Sequence, residues 1–114
     1  MALTFVNDSA TIGTTEYFLA SDSTTKVDQT DDCNVQAVID FGAMLSGDQY
    51  RVRVYEKVNG GTQRQAIPEA ILTGTQAALF WLPGLTLGDG WEISVTKLAG
   101  TDRSIGWSLR KWTA

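Results

Sequence analysis

Polar and apolar residues alternate along most of this chain. In residues 49–58, QYRVRVYEKV, one face carries Tyr50, Val52, Val54 and Val58, interrupted by Glu56, and the other carries Gln49, Arg51, Arg53, Tyr55 and Lys57. A period of two is that of a half-buried β-strand. The Asn-Gly-Gly at 59–61 tolerates positive φ and predicts a tight turn. Residues 62–72 are expected to return as a strand. Pro68 within it cannot donate to a ladder, which places this strand on a sheet edge or breaks it with a bulge. Further on, Trp91, Ile93 and Val95 alternate with Glu92, Ser94 and Thr96, a turn is expected at 99–102, and Ile105, Trp107 and Leu109 share the next inward face. Gly106, on the opposite face, suits a bulge or a close backbone approach.

Three more strands are predicted. TTEYFLA at 14–20 is a first strand. CNVQAVIDF at 33–41 keeps Val35, Ala37, Ile39 and Phe41 in phase. AALFWLP at 77–83 is apolar on both faces and is expected to be central or covered. Residues 21–32, polar and rich in turn formers, form a connecting loop. PEAILTGTQAAL at 68–79 has helical propensity for a turn or two, but Thr73-Gly74-Thr75 interrupts it. Seven or eight short strands separated by turn signals make an all-β, single-domain antiparallel β-sandwich with jelly-roll-like connections; an immunoglobulin-like order is the alternative. Residues 1–12 form an N-terminal arm or first edge strand, and 13–114 the sandwich domain.

Two stretches share one pattern. GDQYRVRVYEKVNGGTQR at 47–64 and GDGWEISVTKLAGTDR at 88–103 both open on Gly-Asp, place an aromatic two residues after the Asp, and close on Thr-x-Arg. Each is expected to be a β-hairpin anchored by its aromatic, the two supplying facing layers of one core.

Composition narrows the functional classes. The 114 residues, 43% hydrophobic and 19% charged, suit one globular domain, not a disordered chain. A net charge of −4 leans away from nucleic acid, which needs a basic footprint. The start of the chain lacks the basic and apolar regions of a secretory signal, and the longest apolar run is too short to span a bilayer. Neither a nucleic-acid partner nor a membrane is expected.

No residue set identifies a reaction. Histidine is absent, which removes the commonest metal ligand and acid–base catalyst. Cys33, the single cysteine, lies in an apolar run and is expected to be a small buried hydrophobe. Asp22, Asp28, Asp31 and Asp32 cluster without the alternation of an EF-hand loop and point to a solvated connection. Asp40, Glu56, Glu69 and Glu92 fall at strand positions, most of them expected to face solvent, with nothing pairing them across a cleft. The glycines precede no helix that would hold a phosphate. Arg51, Arg53 and Lys57 with Tyr55 form the wet face of a sheet. No catalytic residue, metal or cofactor is expected.

Tryptophan is in excess, at four residues. Trp91 and Trp107 fit inward positions; Trp81 lies in the two-sided apolar run and Trp112 on the face opposite Trp107. Large aromatics dominate interface energetics. With Leu3, Phe5 and Tyr55, Trp81 and Trp112 are the candidate interface residues.

MALTFVNDSATIGTTEYFLASDSTT together with the two matching stretches resembles the small β-rich virion structural proteins of tailed bacteriophages, over nearly the whole chain. The resemblance implies a virion component, not an enzyme: a capsid decoration or cement protein acting by protein–protein adhesion. Its partners would be the major capsid protein or other virion proteins, with self-association possible, and it would be assembled in the host cytoplasm. A carbohydrate-binding β-sandwich module of a phage fibre or tail is the alternative.

Overall fold

A computed structural model describes residues 2–66 and 69–113. Nine strands are present among them: β1 (Ala2–Ile12), β2 (Tyr17–Phe18), β3 (Cys33–Asp40), β4 (Gln49–Glu56), β5 (Arg64–Gln65), β6 (Ala70–Thr73), β7 (Phe80–Leu87), β8 (Glu92–Ala99) and β9 (Arg103–Thr113). Sheet A has the order β1-β9-β3-β7. Sheet B has the order β2-β8-β4-β5, with β6 also on β4. All pairings are antiparallel. The chain changes sheet at every connection except β4 to β5 and β5 to β6. This order is that of a jelly roll, in which β5 and β6 together occupy one strand position.

The alternation in the sequence builds the core. Val35, Ala37, Ile39 and Phe41 project from sheet A toward Tyr50, Val52, Ile93 and Val95 of sheet B, with Ile105, Trp107 and Leu109 beside them, and all are buried. Cys33 is a free, buried thiol in the same layer. Two aromatics anchor it with their polar ends bonded: Tyr50 Oη donates to Ile12 O at 2.9 Å and accepts from Arg103 N at 2.8 Å, and Trp91 Nε1 donates to Asp31 O at 3.0 Å.

The repeated stretches have a different relation from the expected one. The first is a hairpin, β4 returning as β5 and β6. The second is not: β8 lies in sheet B, and the turn after Ala99 carries the chain across to β9 in sheet A. The copies do not face each other across the core. Instead β4 and β8 are antiparallel neighbours, Val52 opposite Val95 and Tyr55 opposite Glu92. Antiparallel pairing brings the start of each copy to the end of the other. The Asp48 carboxylate accepts from Thr101 N at 2.9 Å and from Arg103 Nε at 2.7 Å. At the opposite end Glu56 accepts from Gly88 N at 2.7 Å, and Gln63 Nε2 donates to Gly90 O at 2.5 Å. At the Asp48–Arg103 end the Gly-Asp of one copy and the Thr-x-Arg of the other form a clasp.

Other expectations shift as well. The first strand is the eleven-residue β1, paired with β9 over its whole length, and only Tyr17 and Phe18 of 14–20 are in a strand. The 62–72 return is split into β5 and β6; Ile67 and Pro68, where a break was expected, lie outside the described residues. The 77–83 run is not central. It opens β7, an edge strand, with Leu79 and Trp81 exposed. There β3 advances two residues, Val35 to Ala37, while β7 retreats three, Leu85 to Leu82, so the bulge takes in Pro83 and Gly84. A proline is tolerated at such an edge bulge. No bulge occurs at Gly106, whose register with Ser9 and Asp40 is unbroken. Residues 69–79 form no helix, and Val58, beyond the end of β4, is exposed.

Glu92, Ser94 and Thr96 do alternate with the core residues, but they do not face solvent: all three are buried. The segment after β1 reaches over the β8 side of sheet B and covers Glu92 and Ser94. Glu92 accepts from Ala20 N at 2.9 Å and Ser21 Oγ at 2.6 Å, and Glu16 accepts from Ser94 Oγ and from Tyr55 Oη.

Candidate interaction surface

Strand register fixes which side chains share the outer face of sheet A. Across β1, β9 and β3 it aligns Leu3 with Trp112 and Asn34, Phe5 with Arg110 and Gln36, and Asn7 with Ser108 and Val38; Val38 in turn lies opposite Trp81 on β7. Opposed residues in an antiparallel sheet project to the same side. Leu3, Phe5, Trp81 and Trp112, four of the five residues singled out from the sequence, therefore lie on one face. Leu3, Phe5 and Trp81 are each about half exposed, at 50%, 53% and 50%. Val38 is buried among them at the floor of the patch.

Arg110 holds the centre. Its guanidinium carbon lies 5.5 Å from the centroid of the Phe5 ring and 5.1 Å from that of Trp81, and its Nε donates to Ser108 Oγ at 3.1 Å. Cation–π contacts of this kind contribute about 0.5–1 kcal/mol each at exposed sites. No carboxylate pairs with Arg110 among the described residues. The charge is thus stacked between two rings and open to an incoming acceptor. Arg110 was not among the sequence candidates, although the alternation of residues 103–112 places it on the face of Trp112.

Tyr55 does not join this patch. It lies in sheet B, its hydroxyl donating to Glu16 Oε2 at 2.6 Å, its ring 6.1 Å from Phe18 and under Lys26 Nζ at 5.2 Å. Burial, and then the Glu16 bond, push its pKa up. Arg51 and Arg53 on the same side both approach Glu69, Arg53 at 2.6 Å, and Lys57 pairs with Asp28 at 3.2 Å.

The acidic residues disperse. Asp31 pairs with Lys111 at 3.0 Å, and Asp32 accepts from Asp89 N at 3.0 Å. Among the described residues no three potential metal ligands come together. Glu56 and Glu69 are taken by the backbone of Gly88 and by Arg53. Glu92 is the one fully buried acid among them, and desolvation pushes its pKa up against the four hydrogen bonds it accepts. No described helix is long and apolar enough to cross a membrane. Apart from this patch, an apolar cleft of about 440 Å³ lies between β4 and β7, lined by residues that include Val54, Ala66, Leu82, Leu85 and Leu87. The chain runs on from Ala66 into Ile67 and Pro68, outside the described residues.

Comparison with protein-family models, with curated proteins and with solved structures yields no match to this chain.

Proposed function

We propose that this protein is an adhesive structural module, an accessory or decoration protein of a bacteriophage particle, that binds its neighbours through the outer face of sheet A. The observation that carries this reading is the convergence of Leu3, Phe5, Trp81 and Trp112 around Arg110 on one exposed face. Aromatics and arginine are the residue types that dominate the energy of protein interfaces. On the opposite face of the sandwich the β8 side is covered by the protein's own chain and Arg53 is paired with Glu69, which favours sheet A as the surface for a partner. Jelly rolls occur among viral capsid domains and among lectins, so the fold is compatible with the reading and does not by itself select it. Many copies on a shell make modest single contacts sufficient through multivalency.

The test is co-sedimentation of the purified protein with capsid shells, comparing wild type with a Phe5→Ser, Trp81→Ser variant. Wild type should bind in fixed stoichiometry, and the variant should be lost from the pellet while still unfolding in one cooperative transition. Equal binding by both proteins would overturn the proposal. The carbohydrate-binding reading has its own support: exposed Trp81 shares its face with the amides of Asn34 and Gln36, and sugars are held by aromatic and amide groups together. A shift in tryptophan fluorescence on adding host polysaccharide, abolished by Trp81→Ser, would favour it.

A further inference from the structure

The four-stranded sheet A has two edges, and only one is protected. Strand β7 carries the Pro83–Gly84 bulge, which breaks its register. The edge strands of sheet B are short: β2 and β5 have two residues each and β6 has four. Strand β1 has eleven residues, an unbroken register with β9, no proline and no lysine or arginine. Among the described residues no strand pairs with its other side. Its one charged residue, Asp8, accepts from Ser9 N at 2.8 Å and lies beside the Asp22 carboxylate. Proteins that stay monomeric blunt long edges with bulges, prolines or charges, because an open row of amides and carbonyls templates another strand.

From this contrast we propose that β1 pairs antiparallel with β1 of a second copy, joining two sheets A into one continuous eight-stranded sheet. This does not depend on any capsid partner.

The sequence of β1 fits itself. A two-fold axis normal to the sheet sets each residue opposite one of the same parity, so the outer faces of both copies lie on one side. An axis at Asn7 pairs all eleven residues. It sets Phe5 opposite Ser9 and Leu3 opposite Thr11, large against small on the outer face, and Asp8 opposite Val6. Moving the axis to Asp8 would oppose two carboxylates, which is unfavourable. The hydrogen-bonding groups agree as well. Amides along a paired strand alternate between its neighbour and its free side, and the Ser9 amide is turned to Asp8 instead of β9. The odd-numbered amides of β1, that of Asn7 included, thus face the open edge. The dimer would carry both Arg110-centred patches on a single surface.

Sedimentation equilibrium together with amide hydrogen exchange tests this. Wild type should be a dimer in which the odd-numbered amides of β1 exchange as slowly as the even-numbered ones. Asn7→Lys, which sets two like charges on the axis, should give a monomer whose odd-numbered amides exchange fast. Thr86→Lys, adding the same charge on the β7 edge, should remain a dimer. Asn7→Pro, which removes an amide from the open edge, should also be monomeric; if it fails to fold, the lysine variant decides. A wild type that is monomeric at its highest soluble concentration overturns the proposal and leaves the edge to a strand of another protein. A dimer that keeps alternating fast and slow β1 amides overturns it too, since the contact then lies elsewhere.

Discussion

Arg103 Nε lies 2.7 Å from Asp48 Oδ2. The pair joins the last residue of the second repeated stretch to the second residue of the first. Asp48 is 2% exposed and also accepts from Leu45 N and Thr101 N. The Arg103 bond first, and then the two backbone bonds, hold its pKa down to about 2. A carboxylate depressed in the folded state contributes stability that is present above its unfolded pKa, near 4, and is lost as pH falls toward the folded value. Urea unfolding of wild type should therefore weaken between pH about 4 and about 2. Asp48→Asn should be less stable at neutral pH, with the gap to wild type narrowing across that window.

The same clasp makes two glycines unequal. Both Gly47 and Gly100 have positive φ, 92° and 89°. A Cβ on Gly47 would meet nothing within 4 Å, whereas one on Gly100 would stand 2.1 Å from Asp48 Oδ1 and 2.7 Å from Asp48 Cα. Gly47→Ala should cost about 1 kcal/mol, the strain of the conformation alone. Gly100→Ala should cost clearly more, because backbone as well as side chain must move. Thermal midpoints of the two variants check the order.

Glu92 has the opposite pH behaviour from Asp48. Burial raises its pKa, so the fold favours the neutral acid. Its contribution is fully present below the unfolded pKa and falls as pH rises through the folded one. Glu92→Gln keeps an acceptor for Ala20 N and Ile93 N and offers a donor to Ser21 Oγ, which already faces Val27 O. This variant should gain on wild type as pH rises from 4 to 7, measured by denaturant midpoint at each pH. Glu92→Ala should instead release residues 20–29, seen as faster amide exchange in that segment.

Two tryptophans separate fold from surface. Trp107 is 4% exposed, its ring 5.5 Å from Tyr17, and Trp107→Ala should cost about 3–5 kcal/mol. Trp81→Ala should cost roughly 1 kcal/mol, the size of its contact with Arg110. A double-mutant cycle of Trp81 and Arg110 should return a coupling of about 0.5–1 kcal/mol.

Much of the fold was legible because a period of two reports directly which side of a strand is buried. Tyr50, Val52, Ile93, Val95, Trp107 and Leu109 are all inside, where alternation placed them. Alternation says nothing of which strand lies beside which. It could not show that the chain crosses from β8 in one sheet to β9 in the other, or that the start of the first matching stretch grips the end of the second. It also marks Glu92, Ser94 and Thr96 only as pointing away from the core; a second covering by residues 16–29 depends on contacts distant in sequence. A continuous apolar run fits a central strand as well as an edge with an exposed patch, which is why 77–83 was placed inside. The patch itself was half legible. Its apolar members stood out, but Arg110 looked like any polar-face residue until register set it between Phe5 and Trp81.

The covering of sheet B gives this small protein a front and a back. One broad side is partly covered by its own chain and carries the Arg53–Glu69 and Lys57–Asp28 pairs beside an exposed Ile71, while the other is left bare. Copies laid down on any scaffold by the bare side would all turn the same charged, hydrated skin to the medium, so the orientation of a whole layer is already decided in the single chain.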